Sequence, residues 1–455
     1  FPCFAGGSVV AQGDRAALAA LFRGDDAAFL LEDLAGEDAL ETAQGFADAL
    51  VEEDGLASAR IWARAATPEA RRTREMLREN LGPYLYFILE TWLRSLPPSR
   101  ALPAPRELLE ARFRARFLSG LAAGAEKVAV AEAFVEAVRP HFAVLYPPAL
   151  PGSRALAEAA RRIGAPVIDV QPFFVMDEPR TRFHWARAGD NALIQSEAFR
   201  DLYLRLGYRE DAIFLTGTPR LDHLVERGKR VEPPGPPGRR GILFAGQMLD
   251  RALQRDVFRS LAELVGGRPD IELVFRPHYM ASDEEAAAIV DHATNGPAFR
   301  VDRESDVYDL VDAADLVVTF FSNVALEAAI RGRDVICVPP REGRWPEPMN
   351  LADWGVAVEA HVGAPLREAA SALLFGTEAR AALAARRSAY FEANPHSVTT
   401  PSATRVAETV RAIVRAADAA AAGPGGSAAA GPAEPGCGSQ ELPLLHHARV
   451  SERKK

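Results

Sequence analysis

The chain has 455 residues, of which 48% are hydrophobic and 25% are charged. This balance is typical of a folded globular protein and unlike that of a disordered or fibrous chain. At roughly 150 residues per domain, the length predicts about three domains, or two large ones and a tail. The formal net charge of -9 argues against general nucleic-acid binding, which needs a basic face.

The three cysteines, Cys3, Cys337 and Cys437, are an odd number without CxxC spacing, which predicts a reducing compartment and no structural zinc. Apolar runs such as Leu316–Phe321 are far shorter than the roughly 18 residues that indicate a membrane span. The start of the chain lacks a signal-peptide pattern. We therefore expect a cytoplasmic protein, with peripheral association at the inner membrane or with a complex as the alternative.

The first third, residues 1–138, is rich in Ala, Leu, Glu and Arg, and it has apolar residues at helical spacing, as at Leu77, Leu81, Leu85 and Ile88. This pattern predicts a helical elaboration ahead of the first sheet. Recognition of an acceptor or of a membrane-associated partner would suit an added region in this position.

Residues 139–230 change to a strand–helix–strand pattern, which predicts parallel strands and a Rossmann-like fold. The first domain is thus predicted over residues 1–230. Its predicted elements are strands Phe142–Tyr146, Pro166–Val170, Asn191–Gln195 and Ile213–Thr216, and helices Ser153–Ile163 and Glu197–Leu206.

A Pro/Gly-rich segment, Val231–Arg240, predicts the interdomain linker. Beyond it, strands alternate with helices over residues 241–418, which predicts a second doubly wound parallel sheet closed by a long amphipathic helix from Ala403. The Ala/Gly/Pro-rich composition of residues 419–455 predicts a disordered tail. The predicted strands are Gly241–Ala245, Ile271–Phe275, Ala298–Val301, Leu316–Phe320 and Val335–Val338.

Ser322 and Asn323 follow a predicted buried strand and begin a predicted helix. In an open parallel sheet, ligands bind beyond the carboxyl ends of the strands, where helix N-termini offer unpaired N–H groups. The position therefore predicts a phosphate site. Glu327 lies one turn further along the same helix face, where a carboxylate can accept hydrogen bonds from both hydroxyls of a ribose. The competing interpretation makes Ser322 a helix cap and Glu327 a surface acid.

Two further strands are predicted to end at the same edge. One runs into Arg276 and His278, whose side chains can donate hydrogen bonds to a diphosphate or carboxylate. The other runs into Gly246 and Gln247. The alternatives are a structural histidine and a glycine that only backbone geometry requires. The chain has no GxGxxG and no GxxxxGK[ST] motif, which argues against a dinucleotide-dependent dehydrogenase and a P-loop enzyme.

GT-B glycosyltransferases have a nucleotide-binding half that resembles the run from Val307, VYDLVDAADLVVTFFSNVALEAAIRGRDVICV. Their region before the linker, like that of the related UDP-N-acetylglucosamine 2-epimerases, is similar to the run from Ala192, ALIQSEAFRDLYLRLGYREDAIFLTGTPRLDHL. A strand and loop of the family resemble ARRIGAPVIDVQPFF, from Ala160. The resemblance covers residues 142–374 and extends to bacterial capsule and surface-polysaccharide transferases, including CMP-Kdo users and CDP-glycerol polymerases.

The resemblance implies an α/β protein of the GT-B fold, with two Rossmann-like domains facing a cleft. It also implies a nucleotide-activated donor, UDP- or CMP-linked, as a substrate, and no cofactor. Ser322, Asn323 and His278 would bind phosphate, and Glu327 would bind ribose. Arg220 could neutralise the leaving diphosphate in place of a metal. No DxD triplet stands out, which is consistent with metal-independent transfer.

Inverting glycosyl transfer needs a base that deprotonates the acceptor hydroxyl. The candidates are Asp177, Glu178 and His184, in the loop after Val170, led by Asp177. The chain departs from the family at two places. Gln171-Pro172-Phe173 stands where Gln-His-Gly is usual, so the family's histidine near the acceptor is missing, and Pro277-His278 inverts the usual His-Pro.

The sequence thus predicts a glycosyltransferase that acts on a glycan or lipid-linked acceptor in the synthesis of a bacterial surface polysaccharide. Three alternatives stay open. They are a hydrolysing nucleotide-sugar 2-epimerase, a CDP-glycerol-type glycerophosphotransferase, and a non-catalytic nucleotide-sugar-binding scaffold that has lost its base.

Overall fold

A computed structural model describes a large part of the chain. The residues described are 2–5, 26–32, 48–49, 51–53, 55–63, 72, 76, 119–145, 151–171, 187–226, 239–247, 250–266, 268–290, 299–341, 343, 345–395 and 401–421. None of the helices in these ranges is long and apolar enough to cross a membrane.

The first sheet has seven strands in the order β3-β2-β1-β4-β5-β6-β7, and every neighbouring pair in it is parallel. The strand order reverses between β1 and β4, which is the arrangement of a doubly wound sheet. The strands are β1 Pro2–Ala5, β2 Asp26–Glu32, β3 Ser58–Ala63, β4 Ala143–Leu145, β5 Val167–Val170, β6 Asn191–Ile194 and β7 Ile213–Leu215.

The three strands at the start of the chain correct the prediction of a helical elaboration over residues 1–138. Pro2–Ala5 lies in the middle of the first sheet, between Asp26–Glu32 and Ala143–Leu145. The first third of the chain therefore contributes three of the seven strands of the first sheet. The four strands predicted between residues 139 and 230 are confirmed, each to within one residue at either end.

Helices pack on both faces of the first sheet. Before the linker, the longer helices of the described ranges include α1 Ser119–Val138, α2 Pro151–Arg162, α3 Arg200–Arg205 and α4 Asp222–Glu226. Successive residues of a strand point to opposite faces, and Val167 accordingly packs with buried residues of α1 and α2. Its neighbour Ile168 packs on the opposite face, against Val406 and Val410 from the end of the chain.

The second sheet has six strands in the order β10-β9-β8-β11-β12-β13, again parallel throughout. Buried apolar runs such as Ile242–Ala245 are typical of central parallel strands, which helices cover on both faces. The strands are β8 Arg240–Ala245, β9 Ile271–Arg276, β10 Phe299–Val301, β11 Leu316–Thr319, β12 Asp334–Cys337 and β13 Val358–Glu359.

The helices that follow the linker confirm the predicted alternation and add to it. They are α5 Arg251–Val265, α6 Asp283–Val290, α7 Val307–Ala313, α8 Asn323–Ile330, α9 Ala364–Phe375, α10 Thr377–Ala393 and α11 Ser402–Ala421. Strand β13 and helices α9 and α10 were not predicted. Asp250 and Asp306 cap α5 and α7, each by accepting from the backbone N–H two residues on, as aspartate does at helix starts.

Helix α11 differs from its predicted place at the end of the second domain. Its buried residues Val406, Ala407 and Val410 pack against the first sheet, so the chain returns to the first domain in this helix. It continues through Ala421, three residues into the predicted tail. Residues 422–455 and most of the predicted linker lie outside the described residues.

The two domains share one continuous apolar core. Phe199, which precedes α3 in the first domain, packs edge-on against Trp354 of the second with ring centroids 5.7 Å apart. Trp354 in turn stacks on Tyr390 of α10 at 5.8 Å. Buried side chains of β6, α3 and α4 belong to the same cluster as the strands of the second sheet. The domain interface is therefore built like a protein interior.

Asp169, on β5, is a carboxylate buried within the first domain. Its Oδ2 accepts a hydrogen bond from the backbone N–H of Gly189 at 2.8 Å. Burial raises its pKa from the ordinary value of 3.8 to about 7, although hydrogen bonds from the Gly189 and Ala188 backbone oppose the shift. The folded protein therefore favours the neutral carboxyl group.

We expect Asp169→Asn to remove a pH-dependent part of the stability. Between about pH 4 and about pH 7 the folded protein keeps a proton that the unfolded chain has released, so the free energy of unfolding of the wild type falls as the pH rises through this window. As the pH rises from about 5 to about 8, the thermal midpoint of the variant should therefore increase relative to that of the wild type. Asp201→Asn, at an exposed position of α3, is the control, and parallel profiles for Asp169→Asn and wild type would contradict the assignment.

Candidate functional site

The predicted site residues of the second domain meet at the carboxyl edge of its sheet, where β8 separates β9 from β11. The Gly246 N–H donates to the Arg276 carbonyl at 2.8 Å, and the Gln247 Nε2 donates to the Phe321 carbonyl at 3.2 Å. These bonds connect the loops after three strands. The strand order also reverses between β8 and β11, so this edge is the switch point where ligands of open α/β sheets bind.

Gly246 and Gln247 have structural roles at this edge. A Cβ at Gly246 would lie 3.0 Å from Gln254 Oε1 and 3.2 Å from a ring carbon of Phe275, so a larger residue there would have to displace these side chains. Gln254 Oε1 also accepts from the Gln247 N–H at 3.2 Å. Contacts of Gly246 and Gln247 with a donor stay predictions.

Ser322 and Asn323 begin α8 at the end of β11, as predicted. The Ser322 Oγ accepts from the Val324 N–H at 3.3 Å, so its side chain is the helix cap that the competing interpretation describes. Asn323 is the first residue of the helix and is half-buried. The helix start lies at the switch point, and binding of a phosphate there stays a prediction.

The side chain of Arg276 makes a hydrogen bond within its own domain. Its Nη1 donates to the Asp302 carbonyl at 3.0 Å, which secures the loop after β10. This bond uses one of the five N–H donors of the guanidinium, and a contact between Arg276 and a donor phosphate stays a prediction.

His278 is half-buried at the edge of the sheet. Its Nδ1 accepts from the Met280 N–H at 3.3 Å, and its ring packs on that of Tyr279 with centroids 4.5 Å apart. Because Nδ1 accepts, the neutral imidazole carries its proton on Nε2. Desolvation lowers the pKa of His278, which favours this neutral form with one N–H to donate.

Glu327 is buried, contrary to the surface-acid interpretation, with 1% of the residue exposed. Its Oε1 accepts from the Tyr308 hydroxyl at 3.5 Å and lies 3.7 Å from Nε of Arg220. The Arg220 guanidinium also hydrogen-bonds the Tyr308 hydroxyl. Arg220 comes from the first domain, so this contact joins the two domains beside the predicted donor site.

Burial and charge act against each other at Glu327. Desolvation raises the pKa of the carboxyl, and the positive charge of Arg220 lowers it, as does the Tyr308 hydrogen bond. The pKa of Tyr308 is raised, first by burial and then by the negative charge of Glu327. The carboxylate therefore depends on Arg220 for much of its stabilisation inside the protein.

His223 completes a group of four side chains that we call the interdomain polar cluster, defined as Arg220, His223, Tyr308 and Glu327. The rings of His223 and Tyr308 meet edge to face with centroids 4.8 Å apart. Tyr308 and His223 were not predicted from the sequence. Their only signal was that they lie in the two runs that resemble GT-B enzymes.

A second contact, which we call the domain latch, was also missed. The Arg331 guanidinium is buried and pairs in bidentate fashion with Asp312, at 2.7 Å and 2.8 Å. Its Nη1 also donates to the Leu224 carbonyl of α4 at 3.4 Å. The latch thus ties the second domain to the same short helix that carries His223.

The three candidate bases, Asp177, Glu178 and His184, lie in residues 172–186, outside the described part of the chain. Their assignment stays a prediction. Within the described ranges, the structure contains no group of three or more His, Cys, Asp or Glu side chains that could hold a metal ion.

Comparison with known proteins gives one family match within the chain. Residues 190–338 match a protein-family model described as CDP-glycerol:poly(glycerophosphate) glycerophosphotransferase. The matched range contains both the interdomain polar cluster and the domain latch. No protein of curated function matches the sequence significantly.

Solved structures match nearly the whole chain. A UDP-N-acetylglucosamine 2-epimerase is similar with a TM-score of 0.56 and 13% identity, covering 90% of this chain and 95% of its own. The chain has the GT-B fold. The Neisseria meningitidis UDP-GlcNAc 2-epimerase bound to UDP-GlcNAc is similar with a TM-score of 0.53 and 12% identity. The match covers 91% of this chain and 98% of the epimerase. The glycotransferase of kitacinnamycin is similar with a TM-score of 0.52 and 14% identity, and the match covers 90% of this chain and 98% of the glycotransferase. The GT-B resemblance predicted from the sequence is confirmed.

We expect Asp312→Ala to destabilise the protein by about 3–5 kcal/mol, because it leaves the buried Arg331 guanidinium without its carboxylate. Glu263→Ala is the matched control, since it breaks the surface ion pair with Arg367 and should cost less than about 1 kcal/mol. Chemical denaturation measures both changes, and equal losses would show that the latch is not a principal contact.

Proposed function

We propose that the protein is a transferase that moves a group from a nucleotide-activated donor, bound in the cleft between its domains, to a hydroxyl acceptor. The observation that carries the proposal is the buried carboxylate of Glu327, one helical turn beyond the start of α8 at the switch point. Few other ligands would need a carboxylate below an anion-binding helix start, whereas a nucleotide presents phosphates and a ribose in that order.

In the proposed complex the ribose hydroxyls donate to Glu327, and the phosphates face Ser322, Asn323 and His278. The neutral imidazole of His278 would donate its Nε2 proton to a phosphate oxygen. Arg220 would supply the positive charge that balances the departing phosphate, as a guanidinium does in bidentate contact with phosphate. The fold relationship to an epimerase bound to UDP-GlcNAc supports a nucleotide in this cleft.

Two groups are candidates for transfer, and each follows from an observation. The family match over residues 190–338 favours glycerol phosphate from CDP-glycerol. The GT-B fold, which the kitacinnamycin glycotransferase shares, favours a sugar. Because a fold hosts many functions, we place glycerol phosphate first and the sugar second. In both cases the acceptor would be a glycan or a lipid-linked polymer of the bacterial surface.

The two reactions differ in the bond that breaks. In glycerophosphate transfer the acceptor oxygen attacks the phosphorus that carries glycerol, so the nucleotide leaves as CMP. In sugar transfer it attacks the anomeric carbon, so a nucleotide-sugar such as UDP-glucose releases the nucleoside diphosphate. In both, a base takes the proton of the acceptor hydroxyl, and Asp177, Glu178 and His184 are our candidates for that role.

A thermal-shift panel tests the donor site. CDP-glycerol, CMP-Kdo, UDP-sugars, and the free nucleotides CMP, CDP, UDP, GDP and dTDP are added to the full chain. A ligand at a hundredfold excess over its Kd should stabilise the folded state by about 2.7 kcal/mol. Glu327→Gln removes the charge at nearly constant volume and should weaken the effect of every ligand that binds. If no nucleotide shifts the melting of the wild type, the proposed function is wrong.

Product analysis then separates the candidates for any donor that binds. Release of CMP from CDP-glycerol with growth of the acceptor supports glycerophosphate transfer. Release of a nucleoside diphosphate from a nucleotide-sugar supports sugar transfer, and conversion of UDP-GlcNAc without acceptor supports the epimerase alternative. Binding without turnover of any donor would favour the scaffold.

We expect Asp177→Asn to lower turnover by about 100-fold or more while donor binding is retained, because general-base catalysis contributes roughly that factor. Glu178→Gln tests the neighbouring carboxylate in the same way, and Asp201→Asn, at an exposed position of α3, is the control. The readouts are single-turnover rate and donor affinity. Full activity of Asp177→Asn would remove it as the base.

A further inference from the structure

Glu327 is occupied in the structure by groups of the protein itself. The Tyr308 hydroxyl lies 3.5 Å and Arg220 Nε lies 3.7 Å from the same oxygen, Oε1. The side chain of Glu327 is 2% exposed, whereas that of Arg220 is 32% exposed. Arg220 is thus the partly accessible member of the pair, and Glu327 is the buried one.

This arrangement conflicts with direct binding of a ribose. Two hydroxyls must approach the carboxylate within hydrogen-bond distance, about 2.7 Å between oxygens. A nearly inaccessible carboxylate cannot receive them until a covering group moves. Tyr308 lies in α7, in the same domain as Glu327, whereas Arg220 reaches across from the first domain.

We propose that Arg220 is a gate that exchanges partners, leaving Glu327 for the diphosphate of the donor so that the ribose can bind Glu327. This inference rests on the proposed function and adds a requirement to it. The phosphates of the donor open the site for its ribose. Arg220 is therefore a specificity-determining residue that selects nucleotides over nucleosides.

Electrostatics gives the exchange its selectivity. Removal of Arg220 from a buried carboxylate is costly, because it leaves an uncompensated charge in a medium of low dielectric constant. A diphosphate offers the guanidinium a larger negative charge and bidentate geometry in return. A nucleoside offers hydroxyls to Glu327 but nothing to Arg220, so it has to bear the whole cost of opening the gate.

The backbone around Arg220 is fixed, which limits the exchange to the side chain. The Thr216 carbonyl accepts from Arg405 Nε at 2.8 Å. Asp222 accepts from the N–H groups of Ser402 and Ala403 at 2.7 Å and 2.8 Å. Anchors on both sides of Arg220 hold its Cα in place while its long side chain can rotate between two partners.

The experiment compares nucleosides with their 5′-diphosphates on the full chain. The probes are cytidine, uridine, guanosine and thymidine, and CDP, UDP, GDP and dTDP, with affinities from calorimetry near pH 8. In Arg220→Ala we expect the diphosphate to bind about tenfold more weakly or worse, through loss of its charged contact. We expect the matching nucleoside to bind several-fold more tightly, because the gate is gone. Arg205→Ala, which removes an exposed arginine paired with Glu347 at 3.3 Å across the same interface, should change neither.

The expected changes in diphosphate affinity and in nucleoside affinity are opposite in direction, which distinguishes a gate from simpler roles of Arg220. A residue that only contacts phosphate would leave nucleoside affinity unchanged, and a residue that only supports the fold would lower both affinities. Either result overturns the gate. In a Glu327→Gln background, Arg220→Ala should no longer improve nucleoside binding, since the charged pair is already absent. Arg220→Gln, which keeps a hydrogen-bond donor for Glu327, repeats the test if Arg220→Ala does not fold. If the wild type binds none of the diphosphates, the proposed function fails before the gate is tested.

Discussion

The buried guanidinium of Arg331 supplies a charged contact at the point where the two domains meet. A charge in a protein interior is tolerated only where its hydrogen bonds are satisfied, and Arg331 meets this condition with Asp312 of its own domain and the Leu224 carbonyl of the other. The latch binds helix α4, which also carries His223 of the interdomain polar cluster. Asp222 begins α4 and caps α11, and the turn just before it brings Arg220 to Glu327.

The negative net charge of the chain limits how the candidate site can bind an anionic donor. A net charge of -9 will not attract an anionic donor, so local groups have to hold it. Arg276 is bonded to the loop after β10, and desolvation keeps His278 toward its neutral form. The positive groups among the predicted contacts that the structure describes are therefore the start of α8 and the guanidinium groups of Arg220 and Arg276. With so few positive groups, donor binding would depend on short-range contacts rather than on general attraction.

The sequence predicted the second domain well because its central strands are covered on both faces and read as unbroken apolar runs, as in Leu316–Thr319. It failed in the first third, where Ser58–Ala63, SARIWA, has few β-branched residues and lies among helix-forming sequence. The amphipathic pattern of α11 showed that one face is buried but not which sheet buries it. The carboxylate of Glu327 was found from helix spacing alone, whereas its pairing with Arg220 depends on how two domains dock, which no local pattern encodes.

Helix α11 has a consequence for the order in which the protein is made. One face of the first sheet is covered by Val406, Ala407 and Val410, and the partners of Asp222 are the first residues of the same helix. Both are translated only after the whole second domain. The native packing of the first sheet against Val406, Ala407 and Val410, and the hydrogen bonds of Asp222, can therefore form only after residues 402–410 have been synthesised.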